Sequence, residues 1–187
     1  MRRKDDKKLE NIKQAVMKMI LQEGFQGASI AKIAKEAGIS PATVYIYYNS
    51  KDDMMRDIYK EYGEKFYTYL LTKVDRNMSG EQLIDALIKA CYTYITEFGE
   101  AFHFIDQFSA CPALVQNCDE IEGCTKIAQM FEELKQRKVI KDIDNNIIRA
   151  IIFAPVKSVV VGDCFKKDSA QDMLEELIKV IKDALLL

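Results

Sequence analysis

Residues 39–54 read ISPATVYIYYNSKDDM. Ser40 can cap a helix, and Pro41 then falls at the first helical position, where its missing N–H does no harm. Ser50 can cap the next helix, with Asp53 three residues on as a short capping box. The helix between these caps is barely two turns long, too short to persist without tertiary support. Immediately upstream, residues 28–38 read ASIAKIAKEAG. There Ser29 can cap a helix whose Ile30, Ile33, Ala34 and Ala37 share one face, and Gly38 ends it. Two short, capped helices joined by the turn Gly38-Ile39-Ser40 form a helix-turn-helix signature.

A wheel of about 100° per residue sorts the side chains of the second of these helices. Val44 and Tyr48 fall together and are expected to face the core. Ile46 points nearly opposite, with Ala42 and Thr43 on the same outer face, and Tyr45 and Tyr47 lie on the flanks. An outward isoleucine stands where solubility would favour lysine or glutamate. Such a face suits a DNA major groove: methyl groups can meet thymine methyls, and hydroxyls can reach base edges or phosphates. The alternative is a helix covered on both sides within one core. Lys51 would lie in the first turn of the following helix, where the dipole disfavours a cation. A phosphate bound there would be held by the helix amides and by the lysine; otherwise Lys51 is an exposed lysine tolerated at small cost.

Charge distribution agrees with a polyanion partner. Residues 1–60 carry 12 Lys/Arg against 8 Asp/Glu, a net of +4, and the remainder carries 15 against 21, a net of −6. A basic N-terminal third on an acidic body implies an anionic ligand at one end. No apolar run is long enough to span a bilayer and no signal peptide is evident, so a cytoplasmic protein without a membrane role is expected. Five cysteines without C-x-x-C spacing fit a reduced compartment and buried structural thiols. His103 is the one histidine, and no array of ligands at metal spacing surrounds it in sequence. Neither a metal site nor a cofactor nor a catalytic constellation is expected. An enzyme acting on a hydrophobic substrate is the competing class, and nothing in the sequence supplies its chemistry.

Residues 24–59, GFQGASIAKIAKEAGISPATVYIYYNSKDDMMRDIY, resemble the DNA-binding signature of the tetracycline-repressor (TetR) family. The resemblance rests on Gly24-Phe25, Ser29, Ile33-Ala34, Ala37-Gly38-Ile39-Ser40, Val44-Tyr45, Tyr48 and Ser50-Lys51. It implies an all-α fold of about nine helices: a DNA-binding domain at 1–50 and a ligand-binding and dimerisation domain at 51–187. It also implies a homodimeric repressor on palindromic operator DNA, released by a small, apolar or aromatic effector. An activator or adaptor of the same fold is the alternative within this class. By the resemblance, Ser29, Tyr45, Tyr47 and Lys51 would hold phosphates, while Pro41, Ala42, Thr43 and Ile46 would approach bases. Ala42 and Tyr47 depart mildly from the Gly and His often found there. Lys32 replaces the acid that commonly completes the cap begun by Ser29.

Beyond residue 60 helical periodicity continues, with a break at 75–82, where Ser79 and Gln82 can restart a helix. Aromatic residues are dense from Tyr62 to Phe108. Most belong to a core on periodicity alone. The family builds its effector cavity here, and Tyr62, Phe66, Tyr92 and Phe104 are the candidate lining. Residues 145–165, NNIIRAIIFAPVKSVVVGDCF, are apolar almost all round and so must be buried on all sides. With the amphipathic C-terminal helix they can form a four-helix dimer interface, its candidates being Ile148, Ile152, Val156, Val159, Leu174, Leu177, Ile178 and Ile181. Pro155 is expected to kink the first of these helices.

Overall fold

The computed structural model describes residues 6–75, 77–109, 120–161 and 167–187. Among them the regular structure is entirely helical: α1 Asp6–Gly27, α2 Ile30–Glu36, α3 Pro41–Tyr47, α4 Lys51–Leu71, α5 Gly80–Glu97, α6 Gly99–Ser109, α7 Glu122–Gln136, α8 Asn145–Val161 and α9 Lys167–Leu185. The only strand-like pairing among these residues is an isolated bridge between Ile140 and Leu186. The helix start expected at Pro112, and Cys111, Cys118 and Cys164, lie outside the described residues.

The chain forms two compact units, Met1–Gly63 with Glu100–Glu120, and Glu64–Gly99 with Ile121–Leu187. They do not divide at residue 50. The first turns of α4 bury Met54, Met55 and Ile58 completely, so they belong to the core of the N-terminal unit.

In the first unit, α1 supplies Ile12, Val16, Met19 and Ile20 to a core completed by Ile33, Ala34 and Val44. Gly24 (φ 69°, ψ 177°) interrupts α1 with a conformation that a side chain resists. At the end of α2, Gly38 (φ 68°) takes the left-handed position of a Schellman cap. Its N–H meets the Lys35 carbonyl at 3.2 Å, and the Ile39 N–H meets that of Ala34 at 2.9 Å. These two bonds turn the chain sharply enough for α3 to begin within three residues.

In the second unit, α5 starts with a complete capping box: Gln82 N–H to Ser79 Oγ at 3.2 Å, and Ser79 N–H to Gln82 Oε1 at 2.9 Å. Its buried face meets α8 and α9, which also meet each other. Helix α7 has no side-chain cap of its own at Ile121. Glu64, 59 residues earlier, supplies one: its carboxylate accepts from the Gly123 N–H at 3.1 Å and from the Glu122 N–H. The close approach needs Gly123, because an added Cβ would sit 2.6 Å from that of Tyr67.

The expected dimer residues require correction. Ile148, Ile152, Val156, Leu174, Ile178 and Ile181 are at most 5% exposed within one protomer, and Val159 is 9% exposed. They form the contacts of α8 and α9 with their own unit and present little surface to a second chain. Ile148, Ile152, Val156 and Val159 of α8 are consumed inside the protomer. What faces outward is Ile147, 53% exposed, with Ala154 and Ser158. A shallow apolar groove of about 500 Å³ runs between α8 and α9, lined by Ala154, Pro155, Ser158, Val159, Met173 and Leu177. Of the eight candidates, only Val159 and Leu177 border it. Helix α8 continues through Pro155 without interruption from Asn145 to Val161.

Candidate nucleic-acid interface

Helix α3 is held at both ends by its own sequence. Ser40 Oγ accepts the Thr43 N–H at 3.2 Å and lies 2.9 Å from Thr43 Oγ1, with Pro41 inside the first turn. At the other end Tyr48 is extended (φ −133°, ψ 140°) and its N–H still reaches the Val44 carbonyl. The next cap follows at once, with Asp53 N–H on Ser50 Oγ at 3.0 Å. The Asp53 carboxylate accepts from the Asn49 N–H, also at 3.0 Å, rather than from Ser50.

The faces of α3 separate as the wheel places them. Val44 is fully buried and Tyr48 is 5% exposed. Tyr45 and Ile46 stand out at 57% and 43% exposed, Pro41 and Ala42 are exposed, and Thr43 and Tyr47 are half-buried. Ser29 caps α2 through the Lys32 N–H at 3.3 Å and remains exposed.

The Tyr48 hydroxyl is buried and has no hydrogen-bond partner among the described residues. Burial, reinforced by the carboxylates of Asp57, Glu61, Asp53 and Glu10, holds its pKa above the ordinary tyrosine range. An orphaned buried hydroxyl costs on the order of 1–3 kcal/mol. Tyr48→Phe is therefore expected to stabilise the protein by about 1 kcal/mol, read as a higher urea midpoint at unchanged slope.

Part of the positive charge counted in the sequence is engaged. Lys18 pairs with Glu36, Lys32 with Glu23 and Lys13 with Glu61. The Lys18 and Lys32 pairs are exposed and worth little, so a phosphate can draw either lysine away at small cost. Lys51 is different. Its ammonium donates to the Phe25 carbonyl at 2.8 Å and sits 4.3 Å from the centre of the Phe25 ring. Nothing in the residues adjacent to Lys51 signalled this partner.

The four candidate effector residues divide between the units. Tyr62 and Phe104 lie in the first, ring centroids 5.5 Å apart, at 8% and 0% exposed. Phe66 lies in the second, packed on Tyr67, Tyr94 and Phe153, and Tyr92 is half-buried on α5. His103 is exposed, its Nε2 3.0 Å from the Gln107 amide nitrogen. Among the described residues no three His, Cys, Asp or Glu side chains are placed to share a metal. Cys91 and Cys124 are buried, and burial pushes the Cys91 thiol up to about 12, which keeps it protonated and unreactive. No helix among the described residues is long and apolar enough to cross a membrane.

Fold and site together define a helix-turn-helix protein with a larger helical body. Residues 12–58 match the family of bacterial regulatory proteins, tetR family. A fatty acid metabolism regulator protein of Bacillus subtilis (strain 168) is 34% identical over 47 residues, 25% of this chain and 24% of that protein. An uncharacterised HTH-type transcriptional regulator of Haemophilus influenzae is 23% identical over 115 residues, 62% of each chain. Both matches span less than two thirds of the relative. Among solved structures, a TetR family transcription regulator from Marinobacter aquaeolei VT8 superposes with a TM-score of 0.84 at 22% identity. That match covers 100% of this chain and 99% of the other, a likeness of fold.

Proposed function

We propose that the protein is a dimeric transcriptional repressor that binds palindromic operator DNA through α3 and is released by a small apolar effector. The observation that carries this proposal is the outer face of α3. It exposes Tyr45 and Ile46 beside Ala42, on a helix capped at both ends and backed by buried Val44 and Tyr48. An isoleucine 43% exposed on a two-turn helix presents apolar surface to a ligand. Against a major groove it meets thymine methyls, with Pro41, Ala42 and Thr43 beside it at the base edges. Tyr45, Tyr47, Ser29 and Lys51 then border the phosphates. The functional division is residues 1–50 for DNA, joined there by Lys51 at the start of α4, and the rest of 51–187 for effector and partner.

Dimerisation falls to α8 and α9, through the groove between Ala154, Pro155, Met173 and Leu177 rather than through the buried branched residues. Two copies place two α3 helices on successive major grooves, about 34 Å apart. The effector half of the proposal rests on the aromatic residues Tyr62, Phe66, Tyr92 and Phe104. The 47-residue likeness to a fatty acid metabolism regulator is too short to bring an effector to this chain. An effector that favours a conformation poorly matched to the operator must weaken DNA binding. By linkage, DNA then weakens effector binding by the same factor. Catalysis has no place in this proposal, since the family consists of regulatory proteins.

A methyl deletion in the DNA tests the α3 assignment. Replacing a contacted thymine by uracil removes only the C5-methyl, so it should weaken binding by on the order of 1 kcal/mol. Ile46→Ala should make the protein indifferent to that swap. A site insensitive to uracil at every thymine would rule out the contact.

A further inference from the structure

We propose that Phe25 is a positioning residue for Lys51: it fixes the ammonium where a DNA phosphate will meet it, and Phe108 of α6 supports the Phe25 ring edge-on. The proposal rests on the DNA-binding function above and names how one of its contacts is built.

The N-terminus of α4 is a poor anion site by itself. Asp52 and Asp53 stand in its first turn, and the Asp53 N–H is already taken by Ser50 Oγ. Two carboxylates answer the positive end of the dipole, and both would repel a phosphate. Attraction therefore depends on where the Lys51 ammonium is. A lysine free to rotate would lose rotamer entropy on being ordered. Here it is already ordered: one N–H is bound to the Phe25 carbonyl at 2.8 Å, and the charge lies 4.3 Å from the ring centre. An ammonium has three donors, so the carbonyl leaves donors to spare for a phosphate oxygen. Lys51 is only half-buried, so that oxygen can reach it.

Phe25 is held in turn. It follows Gly24, whose left-handed φ of 69° turns the chain out of the first part of α1. Its ring meets the Phe108 ring edge-on, centroids 6.4 Å apart and planes at 89°. Phe108 stacks on Tyr59 at 4.5 Å and 12°, and touches Phe104 at 6.0 Å. All of these residues lie within the first unit, which includes α6 from Glu100 onward. The rings form an unbroken path from α6 to the lysine. Truncating Phe108 would therefore remove the edge support of Phe25 and leave the ammonium less firmly placed.

The test compares wild type, Lys51→Ala, Phe25→Leu, Phe25→Trp and the double variant Phe25→Leu/Lys51→Ala on a duplex selected by the wild-type protein. Affinity is measured from about 50 to 200 mM salt, a range over which phosphate contacts dominate the change. Lys51→Ala should reduce the slope of log K against log salt by about 0.9 per protomer, one phosphate contact. Phe25→Leu should reduce it in the same direction, Phe25→Trp should restore it, and the double variant should bind no worse than Lys51→Ala. Phe108→Leu should produce part of the Phe25→Leu effect. Wild-type slope in Phe25→Leu, or additive losses in the double variant, would overturn the proposal. Should Phe25→Leu fail to fold, the wild-type protein still decides. The Lys51 side-chain protons should be ring-current shifted upfield in its NMR spectrum and stay so with DNA bound. Loss of that shift on adding the duplex would show that the lysine leaves Phe25 to bind. Failure of wild type to bind any duplex with a salt-dependent affinity would instead reject the DNA-binding function itself.

Discussion

Phe66→Ala is expected to remove about 3–5 kcal/mol of stability, the usual range for a buried Phe truncation. Phe66 is 4% exposed, and its ring centroid lies 5.1 Å from Tyr67, 5.0 Å from Tyr94 and 5.9 Å from Phe153. Domains of this size hold only about 5–15 kcal/mol in total, so the variant should be marginal or unfolded at 37 °C. The urea midpoint of purified protein gives the number. A loss under about 1 kcal/mol would mean that the ring borders space rather than packed neighbours. That outcome would mark an effector cavity at Phe66. Phe66→Leu, which keeps most of the volume, is then the variant in which to measure effector response.

Ala154→Glu is expected to separate the protomers and to lower operator affinity by roughly 10²–10⁴, the gain that linking two weak half-site contacts ordinarily supplies. Ala154 is exposed in the protomer and lines the groove between α8 and α9. A glutamate there suits an isolated helix but places a charge in an apolar interface, where it has no partner. Sedimentation should show a monomer with a melting temperature close to that of the isolated wild-type protomer. A dimer that persists in this variant would place the interface elsewhere.

The parts of the molecule that were legible in the sequence are those set by neighbours a few residues apart. Ser40-Pro41 and Gly38 fix α3 by local capping and a left-handed turn, and Ser79 with Gln82 fixes the start of α5. The burial of Val44 and the exposure of Ile46 follow from helical period alone. What could not be read depends on partners far along the chain. The Glu64 cap of α7 joins residues 59 apart, and the Phe25 contact of Lys51 joins residues 26 apart. The candidate dimer residues fell on buried positions for the same reason. An all-apolar α8 tells that every side is covered, but not which side its own protomer covers. Ile148, Ile152 and Val156 face inward, and the outward side holds Ile147 with the small residues Ala154 and Ser158. The basic excess of the first 60 residues was real as a count, yet Lys13, Lys18 and Lys32 each meet a glutamate.

Selection of DNA fragments from the protein's own genome, repeated with Ile46→Glu, tests the reading of DNA by α3 most directly. Ile46 is already 43% exposed, so the substitution should leave the fold intact while placing a carboxylate against the groove. The expected result is that wild type enriches fragments sharing a palindrome whose half-sites lie about one helical turn or a multiple of it apart. The variant, at an unchanged melting temperature, should enrich none. Enrichment of the same palindrome by both proteins would contradict an α3 that reads bases, and absence of any enriched sequence with wild type would contradict operator binding altogether.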